Sequence, residues 1–204
     1  MWWTAKELLE LPWLHRMDFT RDLNDSAFSL IGGRAHYDVV VRAVLEAKHS
    51  VWIATANLKE LMVETGRQAR GGRYHSVLED FERLALQGVE IRILHASLPS
   101  RPFRNRFDGL PTLVEGGMEL RMCPRTHLKT VIVDAEFAYV GSANWTGAGL
   151  GAKGTGRRNF ELGFTTSDDV VIDELQEVFN TIWTGAPCAG CKLRDTCELP
   201  IDEL

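Results

Sequence analysis

The feature that most limits what this chain can become is one string, HxKxxxxDxxxxxxGSxN, made by His127, Lys129, Asp134, Gly141, Ser142 and Asn144. Its two apolar pieces, KTVIVD and FAYVG, are short and rich in β-branched and aromatic residues, so both read as strands. Strand side chains alternate between faces, which sends His127 and Lys129 of THLKTVIVD to one side and gives Asp134 the opposite parity. An imidazole and an ammonium side by side suit a phosphate: the lysine neutralises charge, and the histidine attacks or donates a proton. The pairing is costly without an anion.

The residues that follow point the same way. GSAN places two small residues, a hydroxyl and an amide where the second strand ends. Small residues let a ligand approach the backbone. Ser142 and Asn144 carry neutral donors suited to non-bridging phosphate oxygens. A carboxylate comes later, in RNFELGF. With Phe160, Leu162 and Phe164 facing the core, Asn159 and Glu161 face the other way, where Glu161 can hold a histidine ring in one tautomer and steady its cation.

These residues resemble the phospholipase D superfamily, whose signature is HxK, four residues, D, six residues, GSxN and an acidic residue on a later strand. The match has no gaps or substitutions, and the resemblance extends over roughly residues 30 to 185. It implies a phosphohistidine intermediate formed by the histidine of one motif, while the histidine of a second motif protonates the leaving group and then activates water. Carried over by position, His127 is nucleophile or acid/base, Lys129, Ser142 and Asn144 bind phosphate, Glu161 supports the histidine, and Asp134 is mainly structural. None of the other histidines (His15, His36, His49, His75, His95) is followed by a lysine two residues on, so the chain holds one motif where the chemistry needs two. The resemblance therefore implies a homodimer in which the same patch meets itself across a two-fold axis. Small single-motif members, nucleases among them, are built this way, whereas larger lipid-modifying members carry both motifs in one chain.

A length of 204 residues suits one compact catalytic domain. It is expected over 31–185, between an N-terminal helical extension (1–30) and a cysteine-rich tail (186–204). No apolar run approaches the roughly 18 residues that span a bilayer, and MWWTAKELLELPWLHR lacks the basic start and long apolar centre of a signal peptide. A cytoplasmic protein without membrane attachment is the expectation, and the terminal IDEL is treated as coincidence.

Thr4 with Glu7 makes a capping-box pattern for a short amphipathic opening helix, and a longer helix is expected near Arg34 to Lys48. Strand VWIATA, a helix from Tyr74 to Gln87 and strand VEIRILH follow, then MELRM, KTVIVD, FAYVG and NFELGF. Ser167 is placed as the cap of a final helix, DDVVIDELQEVFNTIW. Helices interleaved with strands early, and adjacent strands around the motif, imply an α/β fold with a mixed β-sheet flanked by helices on both faces.

The net charge of −5 hides an asymmetry. From Gly66 to Arg106 there are eight basic residues against four acidic, in stretches read as loops, GRQARGGRYH and SRPFRNRF. From Thr166 onward there are two against nine. Arg101, Arg104 and Arg106, with Lys153, Arg157 and Arg158 in a glycine-rich loop before Glu161, are candidates to track a phosphate backbone, and Phe103, Phe107 and Tyr74 to stack on bases.

The tail carries a second signal, Cys188, Cys191 and Cys197 in CxxCxxxxxC, and the only other cysteine is Cys123, four residues before His127. In a reducing compartment such a cluster reads as a metal site rather than a disulfide framework. Tetrahedral zinc and a cubane iron–sulfur cluster each want about four thiolates. The spacing resembles the last three ligands of the iron–sulfur loop in endonuclease III-type DNA glycosylases. The first ligand of that loop is missing, Thr181 standing in its place, so Cys123 would have to supply the fourth thiolate of a [4Fe–4S] cluster or of zinc. Its role would be structural or redox-sensing, because a histidine pair needs no metal for catalysis.

Three functional classes stand at this point. The first is a metal-ion-independent endonuclease, with single-stranded DNA as the favoured substrate. The second is a phospholipase or phosphatidyltransferase, for which the tryptophan-rich start is the one candidate membrane contact. The third is a nucleic-acid-binding module with an inactive site. For either enzyme the rate should be bell-shaped in pH, with limbs that belong to the coupled histidine pair.

Overall fold

The computed structural model describes residues 19–22, 28–65 and 73–204. The amphipathic opening helix and residues 66–72 of the first basic stretch lie outside the described residues. Among the described residues there are ten strands: β1 (Phe19–Asp22), β2 (Phe28–Gly32), β3 (Ser50–Thr55), β4 (Met62–Thr65), β5 (Arg73–Ser76), β6 (Glu90–His95), β7 (Glu119–Met122), β8 (Lys129–Val133), β9 (Phe137–Gly141) and β10 (Leu162–Thr166). Eight of them form one sheet in the order β1-β2-β10-β9-β8-β3-β6-β7, while β4 and β5 pair as a separate hairpin. The sheet is mixed. β3, β6 and β7 run parallel, as helical crossovers require, and β8 lies antiparallel to both β3 and β9. β2 crosses the expected 30/31 boundary and pairs with β10, so this part of the N-terminal extension belongs to the sheet.

The first face of the sheet carries the main core. Helix α1 opens with a wide turn over His36–Val41 and continues over Arg42–Leu45, burying Tyr37, Val40, Val41 and Val44. Helix α2 (Val77–Leu86) buries Val77, Leu78, Phe81 and Leu84. Its start is a reciprocal cap: Leu78 N donates to Ser76 Oγ and Ser76 N donates to Glu79 Oε1, a pattern that contributes about 1 kcal/mol. Tyr74 therefore lies on β5, exposed, and not in the helix expected to begin there. Against these helices pack Val51, Ile53, Ile91, Ile93, Val131, Val133 and Tyr139.

The second face is covered by α4 (Asp169–Trp183), which sets Ile172, Phe179 and Trp183 on Ala54, Leu94, Ile132 and Ala138. The residue that caps it is Asp168, whose carboxylate accepts from Val171 N, not Ser167. This helix covers only half the face. Phe160 (76% exposed), Leu162 (54%) and Phe164 (43%), expected in the core, form with Val140 an apolar stripe over β9 and β10 that α4 does not reach. Alternation was read correctly, but the other parity is the covered one: Gly163 and Thr165 are buried. Gly163 and Gly141 face each other across β9 and β10, and a Cβ at either would collide with the Tyr139 side chain lying over them.

SRPFRNRF is a helix, α3 (Arg101–Phe107), with Pro102 in its first turn, where a missing N–H costs nothing. Phe103 is fully buried and stacks on Phe107, so these rings serve the core and do not stack on bases. No helix among the described residues is long and apolar enough to cross a membrane.

Candidate active site

β8, the turn after β9 and the approach to β10 converge on one corner of the sheet. Strand β8 begins at Lys129, so His127 lies just ahead of it, exposed, in the irregular segment that follows the Pro124–Arg125 turn. Lys129 leaves the strand on the main-core side, half-buried, and its Nζ donates to the His127 carbonyl at 2.7 Å. Burial pushes its ammonium below the usual lysine range, against the opposing pull of Glu161. A lysine that is partly dehydrated and bonded only to a carbonyl is ready to exchange that contact for a phosphate oxygen.

Asn144 is held more firmly. Its Oδ1 accepts from Asn57 N at 3.0 Å and lies 3.2 Å from the Thr55 hydroxyl, while Trp145 N donates to that same hydroxyl at 2.9 Å. A backbone N–H can only donate, which fixes the oxygen end of the amide inward and leaves the NH2 end for a ligand. Thr55 pairs directly with Lys129 across β3 and β8. Thr55 and Asn57 were not picked out in the sequence, because nothing local connects VWIATAN to GSAN some 87 residues away in the chain.

Ser142 and Glu161 form one unit. The Ser142 hydroxyl makes a very short hydrogen bond to Glu161, accepts from Leu162 N at 3.1 Å, and its own N donates to Leu162 O at 3.0 Å. The second Glu161 oxygen accepts from Asn159 Nδ2 at 3.0 Å. Both oxygens of Glu161 are thus engaged, on Ser142 and Asn159. Expected to orient the histidine, it contacts two other side chains instead, and among the described residues no hydrogen bond holds the His127 ring. Ser142, expected to touch phosphate, braces the glutamate. Ala143 N donates to Tyr139 Oη at 3.2 Å, closing the turn, and burial drives that phenol far above its ordinary pKa.

Asp134 sits at the far end of β8. It adopts a left-handed backbone (φ 55°) and its carboxylate accepts from Lys48 N (2.9 Å), His49 N (2.7 Å) and Ser50 N (2.8 Å). Burial pushes the carboxyl up, but the three amides outweigh it and hold it below the ordinary aspartate range. Asp134 joins the loop before β3 to the end of β8 and takes no part in the site.

The basic candidates divide. Lys153, Arg157 and Arg158 lie on the loop from Asn144 to Glu161, pinned by Asn159 N donating to Ala148 O at 3.0 Å. Arg158 also reaches Thr155 Oγ1. Arg101, Arg104 and Arg106 are on α3, where Arg104 Nε donates to Pro99 O and Arg106 is paired with Glu79 at 2.7 Å. The start of α3 is tied to the segment after Asn57 through Ser100 N and Leu58 O.

Cys123, Cys188, Cys191 and Cys197 are free thiols lining one common pocket. Hydrogen bonds from Leu193 N and then from Arg125 hold the Cys191 thiol below its ordinary pKa. Among the described residues no three His, Cys, Asp or Glu side chains converge tightly enough to hold a single metal ion. A groove of about 480 Å3 runs beside it, lined by Thr126, His127, Leu128, Val178, Ile182 and Pro187.

The mixed sheet thus presents a lysine, an oriented amide, a braced glutamate and an exposed histidine, all members of the HxK–GSxN string or of the strand approach after it, at one corner. The family model described as "Cardiolipin synthase, PLD-like domain" matches residues 40–183, and the chain belongs to this family. Among solved structures it is similar to NucT from Helicobacter pylori, with 15% identity, a TM-score of 0.52 and coverage of 72% of this chain and 87% of that one. It is also similar to Nuc, a phospholipase D family member from Salmonella typhimurium (18%, 0.50, 72% and 86%). Phosphatidylserine synthase from Haemophilus influenzae Rd KW20 shares the fold too (16%, 0.51, 79% of this chain and 40% of that one). No curated protein matches the sequence.

Proposed function

We propose that this protein is a metal-ion-independent phosphodiesterase, an endonuclease on single-stranded nucleic acid, working as a homodimer with one His127 from each copy. The observation that carries the reading is the pairing of a positioned cradle with an unbraced imidazole: Lys129 and the Asn144 amide are held within one chain, whereas no hydrogen bond holds the His127 ring among the described residues. One His127 attacks phosphorus, forming a P–N bond as the P–O bond to the leaving group breaks. The other copy's His127 supplies the proton to that oxygen, then takes one from water as the water displaces the imidazole. The apolar stripe of Val140, Phe160, Leu162 and Phe164 is the face the second copy would cover, since these side chains are exposed along the strands and segment that carry Glu161. Nucleic acid is favoured because Lys153, Arg157 and Arg158 border the cradle.

A phospholipid substrate is the second reading, and the groove beside His127 supports it, for Leu128, Val178, Ile182 and Pro187 make its wall apolar. One experiment separates them: labelled single-stranded DNA and labelled phospholipid vesicles, each incubated in excess EDTA with wild type and His127→Asn, with acid-labile phosphate on the protein measured in parallel. DNA cleavage by wild type alone, with phosphate trapped on His127, supports the nuclease. Lipid turnover alone transfers the chemistry to phospholipid. DNA binding without cleavage or trapping would leave a binding module and end both enzyme readings.

A further inference from the structure

The tail after α4 is ordered with very little to order it. Between Ala186 and Leu204 it makes three short helical turns, Ala186–Cys188, Arg194–Thr196 and Ile201–Glu203. Pro200 and Ile201 are its only buried residues, while Leu199 and Leu204 stay exposed. Arg194 pairs with Asp202 and Glu203 at 2.8 Å, but solvent-exposed ion pairs contribute little. A segment this short with so little apolar burial needs a covalent or metal staple to hold one conformation.

The cysteines are placed to be that staple. Successive turn hydrogen bonds run from Cys188 N to Gly185 O (2.8 Å), Cys191 N to Cys188 O (3.1 Å), Arg194 N to Cys191 O (3.1 Å) and Cys197 N to Arg194 O (3.1 Å), and they bring three thiols of the tail to one wall. The fourth comes from the body of the protein. Cys123 N donates to His95 O at 2.9 Å, which fixes this residue to the end of the β6–β7 pair, four residues before His127. Every cysteine of the chain lines this one cavity, and none is in a disulfide.

The separation of the thiols decides which group fits. Tetrahedral zinc with Zn–S bonds of about 2.3 Å draws its sulfurs to within about 3.8 Å of one another. No three of these side chains converge in that way. A cubane instead spreads four thiolates around a body with volume of its own, and here four thiols surround an open volume. Met122, Leu193 and Ile201 add apolar side chains to the wall, and Arg125 at the rim would offset the negative charge of a four-thiolate cluster.

We propose that Cys123, Cys188, Cys191 and Cys197 hold a [4Fe–4S] cluster that fastens the tail to the segment leading into His127. Its function is structural, and it stands independently of the reaction at His127. The test is to purify the full chain anaerobically, assay iron, zinc and acid-labile sulfide, and record the visible spectrum before and after dithionite. The same assays follow reconstitution with ferrous iron and sulfide, and are repeated on Cys123→Ser and Cys191→Ser. About four iron and four sulfide per chain are expected, with a broad visible absorption that dithionite bleaches. Each variant should lose most of its iron while keeping the far-ultraviolet circular dichroism of the sheet, whose main core the tail does not enter. Stoichiometric zinc without sulfide overturns the proposal, as does wild type that holds neither iron nor sulfide even after reconstitution. Full iron in Cys123→Ser overturns the ligand set. Should a variant precipitate, the metal and sulfide content of wild type still decides.

Discussion

The two sides of the candidate site are built to different standards. Around Asn144 and Glu161 every functional side chain is held by another: Asn57 and Thr55 set the amide, Ser142 and Asn159 occupy the carboxylate, and Tyr139 closes the turn. His127, at the start of the same string, is exposed ahead of β8, and among the described residues only its carbonyl is engaged, by Lys129. Preorganisation is worth most where charge must be met without rearrangement, which is the task of the phosphate cradle. In the proposed homodimer His127 would acquire its final neighbours only on assembly. On that proposal the contrast teaches that one chain finishes the binding half of the site and leaves the proton-transfer half to association.

That contrast can be broken from either side. The largest effect belongs to His127→Asn, which should lower cleavage by about 10^4-fold or more in steady-state assays while leaving the melting temperature unchanged, because the ring has no hydrogen-bonded partner to lose. Asn144→Asp keeps the acceptor for Asn57 N and replaces only the outward NH2. A loss of roughly 10^2- to 10^3-fold in kcat is expected, and activity within a few-fold of wild type would show that the amide is not aimed at phosphate. Phe164→Glu tests the half left to association. Sedimentation should show a dimer for wild type and a monomer for the variant, with about 10^2-fold less activity at low protein concentration; an active monomer would dismiss the second copy.

The smallest effect is at Asp134, outside the site. Asp134→Ala leaves three backbone N–H groups without their acceptor and should destabilise by about 1–2 kcal/mol in urea, with near-normal activity at low temperature. Its native carboxyl is held below its ordinary value. The stability it contributes is therefore complete above the ordinary aspartate range and is lost as pH falls through the lowered native value. Melting temperatures of Asp134→Asn should accordingly vary less with pH than those of wild type in acid solution.

The site was legible where its logic is local. HxK, GSxN and Glu161 lie within 35 residues of one another, and strand alternation is enough to group them. Thr55 and Asn57 were invisible because they reach Asn144 only through the pairing of β3 with β8. The stripe of Phe160, Leu162 and Phe164 was misassigned because alternation separates two faces without saying which one a helix covers. SRPFRNRF was misread as a loop on its charge and its proline, although proline in a first turn is itself a helix-start signal.

What the order of residues made legible was the string itself: the candidate phosphate-binding side chains, the alternation that sets Lys129 apart from Asp134, and three cysteines clustered in the tail. Those depend on residue type and on periods of a few residues, which a linear string records. Tertiary structure alone decided which donors orient Asn144, that Glu161 binds Ser142 and not His127, that half of one sheet face stays bare, and that Cys123 meets the tail. Each is a meeting of segments far apart in the chain, determined by the register of the sheet and by how far α4 reaches across it.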